Sequence, residues 1–270
     1  MRRLGSTPLA FPNFSGATRR LVIWNLAAYF LLTVALFLAP GPGGSVAGVL
    51  AFRPDLFLHG ALWQPLTYSL IHPTLMGTLF ELLSLWFLAG FLEELHGDVW
   101  VMGLYAVSVV GTALAGVLLY LGGSLAHLNV GTAMLTGCFG GIFGLLVAIG
   151  LLYGDMEFLL FFTIGIKARY MAIIFGLVAI AMLFGEQRLY AFAELGGALA
   201  GWMYIRTAPR RGFGFALSES VYGLRNRYYR WKRRRAARKF EVYMRSQGRT
   251  VRFDGQGRQI DEDDDKKRWN

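Results

Sequence analysis

An all-α integral membrane protein, built as a six-transmembrane-helix bundle, is expected on three grounds. Hydrophobic residues make up 55% of the 270 and charged residues only 16%, whereas a soluble domain carries about 25% charged side chains. No Asp, Glu, Lys or Arg occurs from Val99 to Gly154. A bilayer core takes about 20 apolar residues per helix, so that run holds two crossings. Charge is also segregated: residues 1–20 carry four arginines and no acid, 21–205 carry four basic and nine acidic side chains, and 206–270 carry nineteen basic and eight acidic. An ordinary soluble fold is excluded, and the lone Cys138 excludes an intrachain disulfide.

The elements follow in order. Residues 21–39 form an uncharged first span ended by "PGPGG". It starts about twenty residues in and is followed by no A-x-A-like site, so it reads as a retained anchor rather than a signal peptide. The next spans cover 73–92 and 99–121. A break at "GGSLAHLNVG", 122–131, leads into a fourth span at 134–153. The fifth, 166–185, is the least regular, because Lys167 and Arg169 divide "FLLFFTIGI" from "YMAIIFGLVAIAMLFG". The sixth covers 189–205. Six spans put both basic termini on one side, which the positive-inside rule makes cytoplasmic, along with Lys167 and Arg169.

The chain is thus organised as a basic cytoplasmic N-terminus (1–20), a membrane domain (21–206), a basic juxtamembrane segment (207–248) and a charged, disordered tail (249–270) ending near "DEDDDKK". In "RNRYYRWKRRRAARK", 225–239, aromatics alternate with cations directly beyond the last span. Nucleic acid could be bound by such a stretch, but its juxtamembrane place favours anionic lipid headgroups, so membrane lipids are the expected partner.

Lipid tails give helices no hydrophobic reason to associate, and close packing relies on small residues spaced by four. "GCFGGIFG", 137–144, supplies Gly137/Gly141 and Gly140/Gly144; "AELGGALAG" on the sixth span supplies Ala193, Gly197 and Gly201 on one face. The fourth and sixth spans are expected to pack backbone to backbone. Ionisable groups at membrane depth usually face a bundle interior, and two fall there: Glu81 mid-way along the second span and Glu194 beside the glycine face of the sixth. His72 sits in the second span's entry turn. His59, His96 and His127 lack ligand spacing, so no metal and no cofactor are expected.

Three stretches together resemble the rhomboid intramembrane serine proteases. "ALWQPLTYSLIHPTLMGTLFELLSLWFLAGFLEE" is similar to that family's first-loop end and second helix, with its Trp-Arg pair and His-x4-His-x3-Asn pattern. "TGCFGGIFGLLVAIG" resembles the G-x-S-G stretch opening the fourth helix, and "FAELGGALAGW" the A-H-x-G-G stretch of the sixth. The resemblance covers roughly 18–206 and implies a rhomboid-like bundle. Relatives cleave peptide bonds with a Ser on helix four and a His on helix six, helped by a His and an Asn of helix two.

Here those positions hold Phe139, Glu194, Gly77 and Glu81, and the loop pair reads Trp63-Gln64 with Gln in place of Arg. His72 matches the earlier His of the pattern. Phe139 offers no nucleophile, and an ionised Glu81 would repel an oxyanion. The resemblance therefore implies a pseudoprotease with no catalytic residues, in which Phe139 fills the space of the missing hydroxyl. Its expected client cavity involves Trp63, His72, Glu81, Cys138, Phe139 and Glu194, its partners are transmembrane segments of client proteins, and a bacterial inner membrane fits its compact form. The enzymatic rival is an intramembrane endopeptidase using Cys138, or the carboxyl pair Glu81 and Glu194, in place of the serine-type dyad. Cys138 stands one residue early, about 100° around the helix. Ser84 has no histidine at a workable spacing. A path for protons or ions along the same acids is the remaining reading.

Overall fold

The computed structural model describes residues 12–125, 134–160, 164–185 and 188–207, and scattered positions from 226 to 260. It divides into two units, 1–213 and 214–270. In the first, helices α1 (Gly16–Leu38), α5 (Leu75–His96), α6 (Asp98–Leu125), α7 (Phe139–Leu152), α8 (Ala168–Met182) and α9 (Arg188–Thr207) occupy the six stretches expected to be helical. Between α1 and α5 lie three shorter helices, α2 (Pro40–Leu50), α3 (Pro54–Leu58) and α4 (Gln64–Thr67), with a 3-10 turn at Tyr68–Leu70.

Three of these, α1, α5 and α6, are long and apolar enough to cross a bilayer, while α7 and α8 are shorter apolar helices. α1 has buried Thr18, Leu21 and Asn25 near its start, while Phe30, Leu31, Phe37 and Leu38 lie exposed toward its end, a surface suited to hydrocarbon. Its first turn is capped from another helix: Glu93 of α5 accepts from the Thr18 N–H at 2.8 Å and from its hydroxyl at 2.6 Å. Arg20 of α1 pairs with Asp98 at 2.9 Å. The carboxylate of Glu93 thus meets the positive end of α1 and satisfies donors that its own N-cap, Ser15, leaves unbonded.

"PGPGG" ends the first span as expected, and it does so by opening a second helix. α1 stops at Leu38, and Pro40 begins α2, since a proline at the first helical position gives up an N–H that has no partner there. α8 begins later than expected. "FLLFFTIGI" contributes to an antiparallel pair, β1 (Glu157–Leu160) with β2 (Ile164–Lys167), in which Glu157 stands opposite Lys167. Opposite charges across a pair favour that register.

The core is laid around α6. α9 packs most extensively on α6 and then on α7, and α7 also packs on α6, α8 and α5. Leu104, Val109, Leu145, Ile149 and Ala193 are buried there. In the second unit the described residues Asn226, Tyr228, Trp231, Lys232 and Arg235 are helical and exposed; Tyr228 stacks on Trp231, and the Arg235 guanidinium lies 5.4 Å from the Trp231 ring. Most of the basic segment 207–248 lies outside the described residues. Within 249–270, expected to lack structure, Arg252–Phe253 (β3) pairs antiparallel with Gln259–Ile260 (β4).

Candidate functional site

The glycine-rich start of α7 sets the site's geometry. Gly137 precedes the helix with φ of +88°, a left-handed conformation that costs other residues but not glycine. A Cβ there would also stand 3.0 Å from both Glu81 carboxylate oxygens. Gly137 is thus a turn residue holding the Glu81 carboxyl close. It is not part of the expected helix-packing pair with Gly141, because the helix begins two residues later.

Gly141 also differs from expectation, since it faces the ring of Tyr105 on α6. Gly140 and Gly144 do meet α9. A Cβ on Gly201 would lie 2.7 Å from the Gly144 Cα, and one on Gly197 would lie 2.8 Å from the Gly140 carbonyl oxygen. Ala193 of the same face is buried. Sequence reasoning overlooked a third partner, α6: its Gly111 carbonyl lies 3.3 Å from where a Gly196 Cβ would stand, and Ser108 and Thr112 crowd Gly140, Gly144 and Gly197. The signal was Gly111-x3-Ala115, a small-residue pair in the third span.

Around Glu81 the buried polar groups close on one another. Its Oε2 accepts from the Cys138 N–H at 2.6 Å and lies 3.3 Å from His72 Nδ1. Asn25 fixes the histidine tautomer: its amide donates to the Leu21 carbonyl at 2.8 Å, which turns Oδ1 toward His72 Nε2 at 3.0 Å. Nε2 must therefore carry the proton donated to Asn25, and Nδ1 faces the carboxyl. The donor atoms of His72, Glu81 and Cys138 lie within 4.8 Å of one another, a set that could receive a metal ion. Sequence spacing hid this trio. Protein contacts already engage it, because the carboxylate holds Cys138 and faces His72 directly. The first N–H groups of a helix are where an anion settles, and at α7 the chain's own carboxylate takes one of them.

Beside Glu81 opens a cavity of about 460 Å3. Thr74 reaches it from the cap of α5, Gly77 and Glu81 from α5 itself, Phe139 and Phe143 from α7, Phe175, Val178 and Met182 from α8, and Tyr190 and Glu194 from α9. Phe139 and Glu194 therefore share one cavity, as do the two acids. The Phe139 ring rests against Phe80 at 6.5 Å between centroids. His72 and Cys138 stand behind Glu81 and do not line the cavity, so their expected place there is corrected to a supporting one.

Trp63 does not line it either. Half-exposed, it donates from its indole to the Val49 carbonyl at 3.1 Å, as an aromatic at a membrane interface can with one polar edge. Its neighbour Gln64 is buried and ties the same loop, donating to Val49 O at 3.2 Å and accepting from the Arg53 N–H at 3.1 Å. Arg53 in turn bonds Asp55, which holds that carboxyl below the usual carboxylate range. Gln64 and Asn25 are the polar residues whose structural roles sequence reasoning missed.

Compared with known proteins, the chain finds no match among curated ones. The model of a family described as eukaryotic integral membrane protein (DUF1751) matches residues 20–210. That description is eukaryotic, so the expected bacterial inner membrane does not stand. The match takes in well over half of the chain, including the three described helices that are long and apolar enough to cross a bilayer, except the first few residues of α1, and the chain belongs to this eukaryotic integral membrane protein family.

Proposed function

We propose that this protein is a six-span, rhomboid-like pseudoprotease that binds transmembrane segments of client proteins, with both termini cytoplasmic. One observation carries the reading: Phe139 and Glu194, at the positions that the resemblance gives to nucleophile and base, line the same cavity. A benzyl ring and a carboxyl there form no nucleophile and base pair. The backbone N–H of Cys138, beside the Phe139 position, is occupied by Glu81, so a developing oxyanion would meet a carboxylate instead of a free donor. At 1.5 Å per residue, α7 and α8 are shorter than a hydrocarbon core of about 30 Å. In a six-span arrangement they would thin the bilayer beside them, which eases the approach of a client helix.

The carboxyl pair favours one rival, since Glu81 and Glu194 line one cavity and paired acids can activate water. Incubation of purified protein with transmembrane substrates decides between the two. The pseudoprotease reading expects no cleavage by the native chain and, in membranes, crosslinking of client helices above background. Cleavage lost in Glu81→Gln, Glu194→Gln or Cys138→Ala would establish the rival instead.

A further inference from the structure

Among the described residues, the polar side chains lining the cavity have protein partners with one exception. Tyr190 donates to the Met134 carbonyl and meets the Thr136 hydroxyl at 3.3 Å, and Thr74 accepts from the Gly77 N–H. Glu81 accepts from the Cys138 N–H and lies 3.3 Å from His72 Nδ1. Among the described residues Glu194 has no hydrogen bond or ion pair, although it is half-buried and surrounded by Phe139, Phe143, Phe175 and Met182. Among the described residues no Lys, Arg or His lines the cavity to balance it.

A carboxyl at membrane depth is expensive unless a cation or donor meets it. The space available, about 460 Å3, is too small for a helix but ample for one long side chain. It is bounded by α5 on one side and α8 on the other. α5 packs on α1 and α7, and α8 on α7 and α9, with no extensive packing of α5 on α8, so these two walls leave a lateral way in from the bilayer.

We infer that the cavity receives one basic side chain, a lysine or arginine, from the middle of a client transmembrane helix lying against α5 and α8, and that Glu194 selects it by charge. This rests on the client-binding reading and specifies the client class. A cation fits the carboxyl of Glu194, its stem fits the apolar wall of α7 and α8, and a mid-span lysine or arginine is itself costly in lipid and gains by the pairing.

The test uses the full chain in proteoliposomes, with a photo-crosslinker replacing Val178 on the α8 wall. Synthetic Leu/Ala transmembrane peptides carry a single central Lys, Leu or Glu. The Lys peptide is expected to crosslink roughly tenfold more than the Leu peptide, and the Glu peptide least. Glu194→Gln should remove the preference, and Glu194→Lys should transfer it to the Glu peptide, a reversal that a misfolded variant would not produce. Equal crosslinking of all three peptides to the native chain overturns the charge selection while leaving client binding intact. Absence of crosslinking with every peptide overturns both.

Discussion

Glu81 joins three parts of the molecule with one carboxyl: it faces His72 of the entry turn, accepts from Cys138 at the start of α7, and borders the cavity. Replacing it by alanine leaves a buried histidine facing nothing and a buried N–H without an acceptor. Glu81→Ala is expected to cost about 3–5 kcal/mol, from the unsatisfied N–H together with the space that the side chain leaves. Glu81→Gln keeps an oxygen for Cys138 and should cost about 1–2 kcal/mol. Unfolding in detergent followed by circular dichroism compares the two; equal losses would mean that the carboxyl only fills space. The sequence reading picked out Glu81 because an acid in an apolar run is conspicuous. It could not pick out Asn25, which looks like any polar residue in a helix until His72 is brought to it from 47 positions away.

The three-helix seam of α6, α7 and α9 makes a sharper prediction than the glycine count. Gly201 approaches the Gly144 backbone, so a Cβ at 2.7 Å from that Cα has no flexible neighbour to displace. Gly201→Leu should force α9 from α7 and cost about 3 kcal/mol. Gly176 on α8 has nothing within 4 Å of a built Cβ, and Gly176→Ala should be neutral or add up to about 1 kcal/mol through helix propensity. Thermal denaturation in the same detergent measures both, and a tolerated Gly201→Leu would refute the close seam. The pairing of α7 with α9 was readable because spacing by four puts residues on one face whatever the partner. The α6 face that completes the seam was legible as well, since Ser108, Gly111, Thr112 and Ala115 recur at helical spacing, but what they pack against was not.

Considered whole, the molecule should cross the membrane an even number of times. Single cysteines placed at position 5 and at position 265 of a Cys138→Ala background should react with an impermeant maleimide from the same side of sealed vesicles. Labelling of the two from opposite sides would require an odd number of crossings and would remove one of α7, α8 and α9 from the set of spans. The local signal is weakest there: α7 and α8 are short, and the β1–β2 pair stands between them. The apolar run "FLLFFTIGI" reads as a piece of span, yet its described ends pair as strands, because it is too short to propagate a helix across the bilayer and the flanking Glu157 and Lys167 carry complementary charges.

Composition settled that this chain lives in a membrane, and the order of its apolar runs settled where the helices lie, because burial in lipid needs only length and the absence of charge. That Phe139 offers no nucleophile was equally legible, since a phenyl ring has no proton to give up whatever surrounds it. Contact between distant residues was beyond such reading. That Glu81 caps α7, that His72 and Cys138 stand behind it, that Trp63 lies elsewhere, and that Glu194 shares a cavity with Phe139 all depend on how the helices are rotated and packed. Rotation and packing arise from many small contacts between elements, and no single stretch of sequence contains them.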